Sequence, residues 1–126
     1  MKQIIYILLA ASVFTGCTYP KEYPIDFCTN LNAETKCDSN ENTFNVGDRV
    51  YVLFECNQPF VEKIVTGKFY AIENSNKILL GSQDWNINPG DSYAYDYVDF
   101  TETGTYEFEF LNKQGEVLAK NKLEIK

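Results

Sequence analysis

Asp91, Asp96, Asp99 and Glu102 crowd one stretch of this chain. Carboxylates that converge in a cleft can hydrolyse glycosides or hold calcium. Strand alternation works against convergence here, because it puts Asp96 and Asp99 on opposite faces. A solvated acidic edge that aids solubility is the simpler reading. Tyr93, Tyr95 and Tyr97 are interleaved with these acids. Tyrosines on one side of a strand make a flat platform for sugar rings or a partner protein, since each offers an apolar body and a polar tip. The opposing reading buries the three in the core or over its edge, and it is the preferred one. Ala94, Val98 and Phe100 lie opposite them and can fill a core themselves; two packed layers bury only one face of a strand. Trp85, between Asp84 and Asn86, is a candidate sugar-stacking residue in a loop, or equally a plug over a core edge. The candidate ligand-binding residues are therefore Trp85, Tyr93, Tyr95 and Tyr97.

Other chemistry is closed off by composition. The chain has no His, which removes Ser-His-Asp and Cys-His catalysis along with the commonest metal ligand. The cysteines show no CxxC spacing, so a thiolate metal site is not expected. Residues 38–42 begin like a calcium loop, but Thr43 stands where glycine is required and Arg49 where the bidentate acid belongs. No catalytic residue, metal or cofactor is expected, and the chain reads as not an enzyme. A net charge of -7 argues against a nucleic-acid partner, which would need a basic face. Apolar residues at 44% supply a packed core, and aromatic residues at 15% favour strands over helices.

The start of the chain reads as an address. Lys2 is followed by an apolar run over 4–11, about half the ~20 residues a membrane-spanning helix needs. A basic start, an apolar middle and a small-residue end make a secretory signal peptide. The end is Val13-Phe14-Thr15-Gly16-Cys17. It resembles the lipobox of bacterial lipoproteins, with Phe14 where that family usually has Leu. The resemblance implies diacylglyceryl transfer to the Cys17 thiol, removal of residues 1–16 and acylation of the new amino group, palmitate being the chain implied. Two or three acyl chains anchor stably where one does not. Thr18 rather than Asp after Cys17 implies the outer membrane. Losing residues 1–16 takes away Lys2 and no acid, so the protein becomes more acidic still and is held at the envelope by its lipid alone.

Cys28, Cys37 and Cys56 remain after Cys17. An exported protein meets an oxidising compartment, and three thiols allow one bridge in three pairings. Cys28 with Cys37 is favoured: it closes a loop of about ten residues, worth roughly 2.7 kcal/mol of chain entropy. Cys56 is left free at a strand end; the alternative is that all three stay reduced.

These features must be positioned by strands. Residues 17–42 read as a lipidated tether passing into a polar N-terminal segment. From 43 the pattern changes to short β-type runs separated by turns: 50–54, 61–73, 77–80, 92–100, 105–110 and 116–126. The clearest alternation sets Tyr106, Phe108 and Phe110 against Thr105, Glu107 and Glu109. The aromatic face is inner, with Phe108 the most enclosed of the three and Glu107 at solvent. Six to eight short strands with no helical period argue for an antiparallel sandwich. The approach Gly104-Thr105-Tyr106 resembles the tyrosine corner of immunoglobulin-like domains. This resemblance implies an all-β, antiparallel immunoglobulin-like sandwich of about seven strands over 43–126. The functional expectation is a lipid-anchored envelope protein with a non-catalytic binding or structural role, or alternatively a carbohydrate-binding module using Trp85 and the tyrosines.

Overall fold

Aromatic and β-branched residues dominate each periodic run, and each run forms a strand. The computed structural model describes residues 25–55 and 63–126. The predicted signal peptide, Cys17 and Cys56 lie outside the described residues. Eight strands follow in order: β1 (Ile25–Cys28), β2 (Thr43–Phe44), β3 (Arg49–Glu55), β4 (Ile64–Glu73), β5 (Asn76–Asn86), β6 (Tyr93–Asp99), β7 (Gly104–Leu111) and β8 (Val117–Ile125). They form a three-stranded sheet, β1-β3-β6, and a five-stranded sheet, β2-β8-β7-β4-β5. This is the all-β, immunoglobulin-like sandwich expected, with eight strands among the described residues where about seven were expected. Pairing is antiparallel except where β2 runs parallel to β8. Strands β1 and β2 are too short for a period to register. Their partners define them, through Ile25 opposite Phe54 and Phe44 opposite Ile125.

The two inner faces meet in an aromatic core. Phe54 stacks on Phe110 at 4.9 Å between ring centroids, and Phe69 on Phe108 at 4.6 Å. The Tyr106 hydroxyl donates to the Glu102 carbonyl at 2.9 Å, which is the tyrosine-corner bond. Asn74 and Ser75, both at positive φ, make the two-residue turn that joins β4 to β5. Cys28 and Cys37 are joined in a disulfide, as favoured. Lys36 fastens that loop to β3 through Glu55 at 2.9 Å.

Two expectations for β7 need correction. The most enclosed aromatic residue of this strand is Phe110, 1% exposed, and not Phe108, at 8%. Phe110 is closed in by Phe54 on one side and Trp85 on the other. Glu107 and Glu109 do point away from the core, yet they are only 4% and 8% exposed. Strands β4 and β8 flank β7 on both sides, and Lys77 reaches across from β5. Its Nζ lies 3.3 Å from Glu107 Oε1 and 2.8 Å from Glu109 Oε2. Glu107 is therefore not the neutral solvent position that alternation alone implied.

Candidate functional site

Three strands facing five leave one side of the sandwich uncovered. Strand β1 packs over β8, where Asn121 Nδ2 donates to the Ile25 carbonyl at 2.8 Å. Counting inward, β3 then covers β7 and β6 covers β4. Among the described residues no strand is left to cover β5, and every residue of β5 is exposed except the half-buried Trp85. The gap between β5 and β6 holds two adjoining clefts.

The outer cleft has a volume of about 420 Å³. Its aromatic walls are Trp85, Tyr93 and Tyr95, and its hydrogen-bonding side chains are Gln83, Asn86, Asn88, Asp91 and Asp96. The inner cleft, about 290 Å³, runs down to Val52, Phe69, Val98, Phe108 and Phe110. Gln83, Trp85 and Asp96 line both.

Strand register sets each of these groups. Trp85 lies opposite Val65 on the inner face of β5 and packs edge-on against Phe110 at 4.7 Å. Gly67 makes that approach feasible: a Cβ there would sit 3.4 Å from the Phe110 ring and 3.7 Å from Trp85. Trp85 is thus in a strand, not a loop, and is both an edge plug and a cleft wall. Asp96 lies opposite Val52, whose side faces the core, so its carboxylate points into the gap between the sheets. Its Oδ1 accepts the Tyr97 N–H at 2.8 Å.

The tyrosine stripe lies on the outer side of β6, and the preference for a buried stripe is corrected. Tyr95 and Tyr97 are exposed, and Tyr93 is half-buried. The opposite side carries Val98 against the core. Tyr93 and Tyr95 stack at 6.4 Å. Tyr97 sits on the rim of the inner cleft, with the Arg49 guanidinium 4.0 Å from its ring centre. Arg49 also grips Asp99 through two hydrogen bonds of 2.7 and 3.0 Å. This pairing holds the Asp99 carboxyl below the usual carboxylate range. So Asp96 and Asp99 do part to opposite faces, and it is Asp91 that joins Asp96 in the cleft.

The four ligand candidates read from sequence are thereby brought to one side of the molecule. Gln83, Asn86, Asn88 and the apolar floor were not foreseen. No local pattern reports that the β5 and β6 edges adjoin. Among the described residues, no group of three or more His, Cys, Asp or Glu is placed to hold a metal ion.

No family model and no curated protein matches the chain. Solved structures do. Superoxide reductase (neelaredoxin) from Ignicoccus hospitalis matches at 10% identity and a TM-score of 0.50, over 84% of this chain and 81% of that one. A single-substitution variant of the same protein gives 9% and 0.51, over 93% and 86%. A Niemann-Pick type C2 protein from the Japanese carpenter ant gives 15% and 0.46, over 90% and 100%. At such identities the likeness to the superoxide reductases shows a common sandwich fold and nothing of activity. It does correct one expectation. The architecture is one on which enzymes are built, so the reading of this chain as not an enzyme falls.

Proposed function

We propose that this chain is exported, anchored to the bacterial envelope by lipid on Cys17, and binds carbohydrate in the cleft between β5 and β6. The observation that carries the binding reading is the make-up of the outer cleft. Trp85, Tyr93 and Tyr95 share it with three amide and two carboxylate side chains. Sugars present apolar ring faces and a girdle of hydroxyls. Aromatic walls suit the first, and Gln, Asn and Asp side chains suit the second. The anchor reading is supported by the lipobox-like end of the signal segment.

The cleft has a built-in reporter, because Trp85 is the one tryptophan of the chain. Glycan-array binding is expected for the wild type, with a change in Trp85 emission on titration. Tyr95→Ala should weaken binding about five- to tenfold, the value of one aromatic contact, with an unchanged melting temperature. Trp85→Ala should abolish it. Array binding that survives both substitutions would remove the cleft from consideration. Asp91 and Asp96 in one cleft support a second reading, glycoside turnover by paired carboxylates. Release of reducing sugar that is lost in Asp96→Asn would select it.

For the anchor, Cys17→Ser should move the protein from the membrane to the soluble fraction. Mass spectrometry of the mature wild-type N-terminus should find acyl chains on Cys17. An unmodified Cys17 there would refute the lipoprotein reading.

A further inference from the structure

The inner cleft has the opposite character from the outer one. Its floor is the hydrophobic core itself, reached through the open side of the sandwich. This opening accounts for the ranking along β7: Phe108 lies on the cleft floor and keeps some exposure, while Phe110 is roofed by Trp85. A persistent apolar hollow exposes surface that water solvates poorly, and such hollows mark binding sites.

Gly81 is an independent observation. It sits within β5 opposite Phe69, on the core side of the strand, and lines the inner cleft. Glycine weakens a strand interior, and it occurs there where backbone geometry demands it or where something must approach closely. The β4–β5 register shifts beside Gly81, with Leu80 as the extra residue of a bulge, but that bulge asks no glycine conformation of residue 81 itself. Its φ is ordinary, unlike that of Gly47, Gly90 and Gly115, and a Cβ there would meet nothing within 4 Å. What a side chain at 81 would do is project into the mouth of the cleft. The missing side chain keeps the hollow open.

We infer that the ligand is amphipathic, a glycolipid or alkyl glycoside whose sugar occupies the outer cleft and whose hydrocarbon enters the inner one. This rests on the carbohydrate reading and names its ligand class. Continuity is the argument. Gln83, Trp85 and Asp96 belong to both clefts, so a ligand held by the polar walls of the first has its next atoms at the threshold of the second. Gln83 and Asp96, on the inner faces of their strands, keep the mouth of the inner cleft polar, while Val52, Phe69, Val98, Phe108 and Phe110 make its floor apolar. A purely polar glycan would leave that floor wet.

The test uses the mature full-length chain and methyl, hexyl and octyl β-glucosides, with octanoate as a hydrocarbon lacking a sugar, all below their aggregation limits and followed by Trp85 emission. Affinity should rise at least tenfold from the methyl to the octyl glucoside. Gly81→Leu, which fills open space in an unstrained position, should abolish that rise and leave methyl glucoside binding as it was. Methyl glucoside binding without any gain on lengthening the chain would overturn the inference and leave the carbohydrate reading standing. A gain that persists in Gly81→Leu would also overturn it, since the hydrocarbon would then lie elsewhere. Octanoate bound as tightly as octyl glucoside, with methyl glucoside unbound, would overturn the carbohydrate reading and with it the ligand class. Failure of all four compounds to bind would overturn both.

Discussion

Phe110→Ala should destabilise the sandwich by about 3–5 kcal/mol, read as a lowered midpoint in chemical denaturation at unchanged slope. Small domains have about 5–15 kcal/mol in total, so the variant should melt far below the wild type. The size follows from what the ring touches. Phe110 is fully buried, stacks on Phe54 at 4.9 Å and carries Trp85 edge-on at 4.7 Å. Its loss forfeits the transfer energy of the ring and opens a void between the sheets. Phe108→Ala should cost less: both rings border the inner cleft, but Phe108 is 8% exposed against 1% for Phe110, so its removal enlarges a space already open. Equal losses in the two variants would show that Phe108 is as enclosed as Phe110, and that the inner cleft is closed in solution.

Lys77→Met should cost about 3 kcal/mol, far more than a surface lysine normally does. A surface ion pair contributes about 0–1 kcal/mol, whereas stripping a buried carboxylate of its partner costs about 3–5 kcal/mol. Lys77 stands between these cases, since its side chain is 38% exposed while the two carboxylates it serves are buried. Its ammonium also lies 4.5 Å from the centre of the Tyr70 ring. Burial would push the Glu109 carboxyl up; hydrogen bonds from Lys77 and Tyr70 override it and hold the carboxyl below the usual range. The Lys77 ammonium is shifted upward, chiefly by its hydrogen bond to Glu109.

The signs of these shifts set the pH dependence. A carboxyl with a lowered pKa contributes stability that is present above the ordinary Glu value, about 4.3, and is lost as pH falls through the lowered one. A raised lysine contributes stability that is present below about 10.4 and is lost as pH rises through the raised value. The gap between wild type and Lys77→Met should therefore be widest between about pH 5 and 10 and narrow towards about pH 3. Adding Glu107→Gln and Glu109→Gln to Lys77→Met should recover part of the loss, because neutral amides tolerate burial without a cation. A gap that stays constant from about pH 7 to about pH 3 would mean that Lys77 acts by packing and not by charge.

Features that depend on neighbours in the chain were legible in the sequence. The alternation in 105–110 placed three aromatic residues inward and two acids outward. The break between the runs 61–73 and 77–80 marked a turn, the approach to Tyr106 marked the corner, and Cys28 and Cys37 stood close enough along the chain to favour their bridge. Alternation and turn follow local backbone geometry, the corner rests on a resemblance carried by neighbouring residues, and the bridge on a short loop. The tertiary structure alone decided what covers each face. Alternation puts Glu107 and Glu109 away from the core, but only the flanking of β7 by β4 and β8, with Lys77 reaching over, buries them. It likewise groups Tyr93, Tyr95 and Tyr97, but only the unequal widths of the two sheets leave β5 uncovered and bring Trp85 beside them. A strand's period states which way a side chain points; what it meets there depends on strands distant in sequence, which no window of neighbouring residues contains.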